Sequence, residues 1–383
     1  VKIAVIFGTR PELIKLAPVI HALRERPDRF KTFLLATAQH RGLLDQMLEL
    51  FDIRPDLDLD IMKPDQNLED LTARVMASMS PALRRLRPDL VLVQGDTTTA
   101  AISALAAFYQ RIPVAHVEAG LRTGEPYNPF PEEINRKIIS TLARLHFAPT
   151  PTAARNLKRE GVPPSGVFVT GNTVIDALLF IDKKIGKNPP PVKIDGGHKL
   201  VLVTAHRRES FGKPLENIYR ALIDIVSLSP DVEIVYPVHP NPNVRESASR
   251  MLKGIERIRL LRPLDYGEFI LLMKNADLIL TDSGGIQEEA PAFRKPVLVL
   301  REKTERPEGI EAGIARLVGT DRKKIVAETR RILSNPAEYR RMIRAKNPYG
   351  DGKAALRIRK IIASIWPDLT RTRARSRQAA KLP

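Results

Sequence analysis

The segment Lys2-Ile3-Ala4-Val5-Ile6-Phe7-Gly8-Thr9-Arg10-Pro11-Glu12 reads as a strand that turns at a glycine straight into a helix. Its aliphatic run lacks polar alternation, which is what a strand buried on both faces of a parallel sheet requires, and Pro11 suits a first helical position. The same grammar recurs downstream at Thr32 to Thr37, Leu90 to Gln94, Val114 to Val117, His146 to Ala148 and Val167 to Thr170. Between these runs, Leu68, Leu71, Val75, Met79, Leu83 and Leu86 lie on one stripe at helical spacing, a helix that covers such a sheet. The first half is therefore expected to be doubly wound α/β. A second series follows the Pro/Gly-rich stretch Asn188 to Gly197: Leu200 to Thr204, Glu233 to Tyr236, Ile258 to Leu261, Leu278 to Thr281, Pro296 to Leu300 and Ala315 to Val318. Helical patterns at Leu215 to Leu228 and Lys323 to Leu333 separate its strands. Two similar α/β layers predict a cleft faced by the carboxyl ends of parallel strands.

Composition agrees with two folded domains: 383 residues exceed one ordinary core, and 43% hydrophobic residues supply two. No apolar run approaches the roughly 20 residues of a spanning helix, and the chain opens on a strand instead of a secretory signal, so the cytoplasm is the expected compartment. The absence of cysteine excludes disulfides, thiolate metal sites and a cysteine nucleophile. A net charge of +18 invites a nucleic-acid reading. The basic residues are nevertheless interspersed with acidic ones, and the dense cluster Arg371, Arg373, Arg375, Arg377 and Lys381 has no interleaved aromatics. A disordered, solvated tail is the reading for that cluster, and an anionic small substrate for the rest.

Strand ends are where chemistry is expected. After the first strand, Gly8, Arg10 and Lys15 form either an anion site at a helix N-terminus or a plain βα turn; no GxGxxG fingerprint is present, so a nicotinamide cofactor is not implied. Val91-Leu92-Val93-Gln94-Gly95-Asp96-Thr97-Thr98-Thr99 puts Asp96 at a strand end, as a cleft carboxylate or a helix N-cap. Val114-Ala115-His116-Val117-Glu118-Ala119-Gly120-Leu121-Arg122 does the same for Glu118, a residue type that local turn structure explains less well. Pro129-Phe130-Pro131-Glu132-Glu133-Ile134-Asn135-Arg136 starts a helix with more charge than its dipole needs, and Arg136 is counted with the substrate-binding set. In the second half, Thr204-Ala205-His206-Arg207-Arg208-Glu209 suits a diphosphate, against the alternative of a satisfied histidine in a polar loop. His239 stands in a similar place.

Thr281-Asp282-Ser283-Gly284-Gly285-Ile286-Gln287-Glu288-Glu289 is the strongest local signal, since exposed amides at such a turn cradle phosphate. Glu289, one helical turn in, reaches ribose hydroxyls. Phe269 reads as a nucleobase platform or as core, and Arg306 as a phosphate clamp or a surface ion pair. No HExxH or other ligand spacing implies a metal, and no GxSxG elbow implies a hydrolase.

Together with Thr37-Ala38-Gln39-His40-Arg41, Thr304-Glu305-Arg306-Pro307-Glu308 and Asn347-Pro348-Tyr349-Gly350-Asp351-Gly352, these segments stand in one order over nearly the whole chain. In this the sequence resembles the non-hydrolysing UDP-N-acetylglucosamine 2-epimerases. The resemblance implies a GT-B-like α/β fold of two Rossmann-like domains facing a cleft. It divides the chain into an N-terminal domain at 1–172 carrying the carboxylates, a UDP-binding domain at 173–350, a helix at 351–367 crossing back to the first domain, and a basic, disordered tail at 368–383. It carries over Asp96, Glu118 and Glu132 as essential carboxylates with His206 near the leaving group. Arg10, Lys15, Phe269, Ser283, Gly284, Gly285, Glu289 and Arg306 carry over as nucleotide-site residues. It further implies a homodimer that uses neither metal nor cofactor, and elimination of UDP to 2-acetamidoglucal followed by re-addition with C2 inverted. Many bacterial relatives bind a second UDP-N-acetylglucosamine as activator, in a region that maps to Gln39, His40, Arg207 and His239. This chain departs from them with Gly42 and Asp65, where those relatives often carry Gln and Arg.

Inversion at C2 needs proton removal from one face and delivery to the other, so several carboxylates at one centre are expected. A GT-B glycosyltransferase shares the fold and the nucleotide cradle but does not need them. A nucleic-acid-binding module rests on charge alone.

Overall fold

The computed structural model describes the backbone of residues 1–37, 41–61, 66–186, 188–194 and 196–379, and side chains there except at 41–43, 208 and 367–379. The chain forms two compact units, Val1–Ala177 with Gly350–Pro383, and Leu178–Tyr349. It passes from one to the other twice, at 177–178 and at 349–350.

In unit 1 the elements are β1 (Lys2–Phe7), α1 (Arg10–Arg24), β2 (Lys31–Ala36), α2 (Arg41–Leu50), β3 (Leu57–Asp58), α3 (Leu68–Leu86), β4 (Leu90–Gln94), α4 (Thr98–Tyr109), β5 (Val114–Val117), α5 (Glu132–Leu142), β6 (Leu145–Ala148), α6 (Pro151–Arg159) and β7 (Val167–Val169). Helix α7 (Thr173–Ile185) leads into unit 2. There follow β8 (Lys199–Thr204), α8 (Lys213–Leu228), β9 (Val232–Pro237), α9 (Pro242–Leu252), β10 (Ile258–Leu261), α10 (Tyr266–Asn275), β11 (Leu278–Thr281), α11 (Gly284–Glu289), β12 (Val297–Val299), α12 (Pro307–Glu311), β13 (Ala315–Leu317), α13 (Arg322–Ser334) and α14 (Pro336–Arg344). The last helix, α15 (Ala354–Ala379), belongs to unit 1.

Both sheets are parallel, ordered β3-β2-β1-β4-β5-β6-β7 and β10-β9-β8-β11-β12-β13. Each is the Rossmann-like pattern in which the order reverses beside the first strand of the unit, and ligands favour the carboxyl ends at that reversal. Strands β4, β5, β6 and β11 are buried along their whole length, as expected of aliphatic runs covered on both faces. Helix α3 buries Leu71, Val75, Met79 and Leu83, with Asn67 capping its start through Asp70 N–H. Leu68, at the end of the predicted stripe, is 37% exposed. The two-residue β3 is too short to leave a sequence pattern.

Helix α15 begins on unit 1 through a cap supplied from another helix. Asp176 accepts from the Ala354 and Ala355 amides at 3.2 and 2.9 Å, two of the donors a helix start leaves unpaired. Ile358 and Ile362 are buried behind this cap, and Arg359 donates to the carbonyl of Ala22 near the end of α1. The backbone stays helical to Ala379, past residue 367 where a disordered tail was expected. Arg, Ala and Gln in that stretch are good helix formers, and charge alone does not break a helix.

Burial pushes the Asp176 carboxyl up to about 6, against the two amide hydrogen bonds, with Asp351 adding repulsion. Between an ordinary carboxylate value and 6 the folded chain keeps a proton that the unfolded chain has released. This stabilisation is complete below about pH 4, falls as pH rises, and is gone above 6. The change amounts to about 3 kcal/mol. Asp176→Asn keeps an acceptor and cannot titrate, so the stability of the wild type relative to the variant is expected to fall by up to that amount from pH 4 to pH 7. Urea unfolding across this range checks it, and a difference that does not move with pH refutes it.

Candidate active site

In unit 1 the ends of β1, β4 and β5 adjoin, and their turns carry Arg10, Asp96 and Glu118. Glu118 is the most constrained of the three. Its φ is +65°, a left-handed conformation that costs a non-glycine residue about 1–3 kcal/mol and is retained where the surroundings enforce it. Its carboxylate is buried and fully engaged: Oε1 accepts from Lys15 Nζ at 2.5 Å and from Asn172 Nδ2 at 3.2 Å, and Oε2 accepts from Gln94 Nε2. Lys15, expected among the nucleotide ligands, is thus drawn to a carboxylate. The neighbouring His116 donates to the Gly95 carbonyl, and burial holds its pKa down to about 3, so it is neutral.

Asp96 is not the helix cap. Thr97 takes that position, its hydroxyl accepting from Ala100 N–H, which leaves the Asp96 carboxylate to Arg136 at 2.7–2.8 Å. Arg136 also donates to Glu133, so it organises acidic groups within unit 1. Burial works against the charge on Glu133, yet the amides of Thr123 and Gly124 and the Arg136 guanidinium outweigh it and hold its pKa below the usual range. Glu133 therefore anchors a loop. Glu132, beside it, is half-buried, and its Oε2 is buried without a hydrogen-bond partner among the described residues. That is an oxygen poised for a ligand or a proton.

The turn after β1 differs from the expectation of an open anion site. The Gly8 and Thr9 amides both donate to Glu12 Oε2, at 2.9 and 2.8 Å, as does the Thr9 hydroxyl, while Thr97 donates to Oε1 at 2.7 Å. A carboxylate from α1 occupies the place a phosphate would take. Arg10 is exposed at the start of α1.

In unit 2 the reversal lies between β8 and β11. Asp282, fully buried at the end of β11, accepts from the His206 and Arg207 amides at 2.6 and 2.8 Å and lies 3.5 Å from His206 Nδ1. The His206 ring stacks on His239 with centroids 5.0 Å apart. The Ser283 amide is held by Thr281 Oγ1, and the next two residues are glycines at the start of α11. A Cβ on Gly284 would lie 3.7 Å from the Arg306 guanidinium and 4.0 Å from Arg207 Nη2, so two cations gather at the Gly284 turn. Arg306 is aimed by buried Glu288, 2.5 Å from its Nε. Glu289 accepts from the Tyr266 hydroxyl at 3.3 Å, and Phe269, on the same helix as Tyr266, is half-buried and outside the core cluster of the unit. A backbone turn flanked by guanidinium groups, a carboxylate and an aromatic ring suits a nucleoside diphosphate.

Of the residues mapped to an activator region, Gln39, His40 and Asp65 lie outside the described residues, as does the side-chain environment of Gly42. Arg207 and His239 fall beside the Gly284 turn and His206. Glu12, Gln94, Asn172 and Asp282 are organising residues that the sequence reading did not single out. The signal for Asp282 was its position directly before Ser283-Gly284-Gly285 at a strand end.

Two Rossmann-like sheets, each with polar side chains at its order reversal, define a GT-B-like protein. The sequence model of the UDP-N-acetylglucosamine 2-epimerase family matches residues 21–363, and this chain belongs to that family. It is 54% identical to the UDP-N-acetylglucosamine 2-epimerase of Escherichia coli (strain K12) over 93% of this chain and 97% of the relative. The solved Neisseria meningitidis UDP-GlcNAc 2-epimerase bound to UDP-GlcNAc is 43% identical, with a TM-score of 0.87 over 95% of this chain and all of the other. A Staphylococcus aureus co-structure with UDP is 43% identical, with a TM-score of 0.86 over 96% of this chain and 97% of that one.

Proposed function

We propose that this enzyme interconverts UDP-N-acetylglucosamine and UDP-N-acetylmannosamine by elimination and re-addition of UDP. The observation that carries the reading is the set of acidic side chains in unit 1: Glu118 after β5, held in a left-handed backbone, Asp96 after β4, set by Arg136, and Glu132 at the start of α5, with a buried oxygen that has no hydrogen-bond partner among the described residues. The hydrogen on C2 is not adjacent to a carbonyl, so C1–O cleavage leads. The C1–O electron pair leaves with UDP, a carboxylate takes the C2 proton, and the C1=C2 double bond of 2-acetamidoglucal forms in the anti sense. UDP then re-adds at C1 while a second group protonates C2 on the opposite face, a syn addition. The Gly284 turn with Arg207 and Arg306 receives the growing diphosphate charge, and His206 stands next to it. Glu289 and Phe269 fit a ribose and a base.

The Neisseria meningitidis enzyme bound to UDP-GlcNAc and the Staphylococcus aureus co-structure with UDP support these two molecules as ligands. The same reading includes a cytoplasmic homodimer whose product supplies N-acetylmannosamine units for surface polysaccharide. Incubation with UDP-N-acetylglucosamine alone in heavy water tests it by proton NMR. UDP-N-acetylmannosamine carrying deuterium at C2 is the expected product. Free sugar with UDP would make the enzyme a hydrolysing epimerase, and an unchanged spectrum would sink the proposal.

A further inference from the structure

The peptide unit that leads into His206 is gripped at both of its polar atoms by buried side chains of unit 2. The Ala205 carbonyl accepts from the Tyr236 hydroxyl of β9 at 2.6 Å, and the His206 N–H donates to Asp282 Oδ2, just after β11, at 2.6 Å. The Arg207 N–H shares that oxygen at 2.8 Å. Strand β8 lies between β9 and β11, so the segment leaving its carboxyl end is reached from both sides. Tyr236 and Asp282 are both fully buried. Burial, with Tyr219 and Asp282 close by, pushes the pKa of the Tyr236 phenol up, so it keeps the proton it donates.

The second oxygen of the Asp282 carboxylate takes no part in this grip. Oδ1 is buried, has no hydrogen-bond partner among the described residues, and lies 3.5 Å from His206 Nδ1. A buried acceptor left open calls for a reason, and hydrogen bonds of a catalytic site are often this long before a ligand tightens them. A carboxylate only accepts, so the ring nitrogen that faces it is the one that carries a proton. His239 stacks on the same ring, 5.0 Å between centroids and 12° between planes, and limits its tilt. The Asn241 N–H donates to His239 Nδ1 at 3.1 Å, so that nitrogen carries no proton.

We infer that Asp282 is a positioning residue for His206: Oδ2 fixes the backbone, Oδ1 holds the ring with its proton on Nδ1, and Tyr236 secures the other end of the same peptide. The nitrogen left for the diphosphate is then Nε2. When the C1–O bond breaks, its electron pair goes to the β-phosphate oxygen. A ring protonated on both nitrogens gives that oxygen a hydrogen bond from Nε2, while the carboxylate behind Nδ1 stabilises the positive charge. On re-addition the pair returns to C1 and the hydrogen bond is released. The inference rests on the epimerase reading, in which His206 meets the leaving group; Asp282 and Tyr236 lie too deep to touch it themselves.

Asp282→Asn separates the two tasks of the carboxylate. The asparagine oxygen takes the Oδ2 position and keeps both amides, while its NH2 takes the Oδ1 position and donates to Nδ1, which reverses the tautomer. Nitrogen NMR on the full chain with isotope-labelled histidine and bound UDP reads this directly at about pH 8.5, well above the ordinary imidazole value. The His206 signals are those missing from His206→Ala. Wild type is expected to show a protonated Nδ1, and Asp282→Asn an unprotonated one. In the same variant kcat for UDP-N-acetylglucosamine should fall about a hundredfold with the Kd for UDP within about threefold of wild type. In a His206→Ala background the substitution should change kcat by less than about twofold, because its effect runs through the ring. Tyr236→Phe should keep the tautomer and lower kcat by about threefold to tenfold. An unprotonated Nδ1 in wild type, or an Asp282→Asn loss as large without His206 as with it, overturns the inference. If Asp282→Asn does not fold, the wild-type spectrum decides alone. A wild-type chain that binds UDP but forms no UDP-N-acetylmannosamine would fail the epimerase reading instead, and the spectra of the UDP complex are read independently of turnover.

Discussion

Glu118→Gln is expected to lower kcat for UDP-N-acetylglucosamine about a thousandfold while the chain folds and binds UDP as before. The fold should survive because the substitution is isosteric and its surroundings can adapt. The glutamine oxygen takes the Oε1 position, accepting from Lys15 and Asn172, while its amide faces Gln94. Gln94 then needs only a flip of its own amide to present an oxygen. The left-handed backbone at 118 is unaffected, since both residue types suffer it equally. What is lost is the negative charge beside Lys15 and the ability to take or return a proton, and a positioned acid–base group is worth about 10² to 10⁴ in rate. UDP affinity is assigned to the Gly284 turn, so calorimetry with UDP should give a Kd within about twofold of wild type. A fall in kcat of less than about tenfold would remove Glu118 from proton transfer and leave it as a partner for Lys15. Exchange of the C2 hydrogen in heavy water, followed at the same time, should fall in step with turnover.

The layered architecture was legible because it depends on composition along short windows. Runs such as Leu90 to Gln94 and Leu278 to Thr281 are apolar without alternation, and that pattern has few solutions other than a covered parallel strand. The positions of Asp96, Glu118, His206 and Ser283 at strand ends followed from the same patterns, since parallel strands joined by helices place their carboxyl ends on one edge. Which polar group meets which could not be read in this way. Asp96 and Thr97 are both good helix caps, and only the observed geometry gives the cap to Thr97 and frees Asp96 for Arg136, forty positions on. Asp282 serves His206 and Arg207 because β8 and β11 are neighbours, a fact of strand order that no local window contains. The left-handed conformation of Glu118 has no sequence signature, as glycine and asparagine are the residues that advertise it. The turn after β1 is the clearest case of a pattern with two physical readings. A strand, a glycine and a helix start describe an anion site, but the anion they hold is internal.

That internal anion leads to the second large effect. Glu12→Ala is expected to destabilise the chain by roughly 4 kcal/mol, whereas Glu12→Gln should cost about 1 kcal/mol. Glu12 is 1% exposed, and burial raises its pKa even though Thr97, Gly8 and Thr9 all donate to it. Alanine leaves the Gly8 and Thr9 amides without an acceptor in a place water cannot reach. Gly8 is closely packed there, since a Cβ added to it would lie 2.2 Å from Thr37 Oγ1. Each stranded buried donor costs about 1–3 kcal/mol, and the lost side chain adds a cavity. Glutamine meets the same donors differently. Its oxygen takes the Oε2 position with its three donors, and its amide nitrogen faces Thr97, whose hydroxyl rotates from donating to accepting. Urea unfolding of the two variants should therefore separate them by about 3 kcal/mol, and equal losses would mean that the negative charge, not the pattern of acceptors, holds this turn. The alanine variant should also lose activity out of proportion to its folded fraction. Glu12 joins the turn that presents Arg10 to the residue next to Asp96, so releasing it loosens two site residues at once, while the Gly284 turn of unit 2 and its affinity for UDP are untouched.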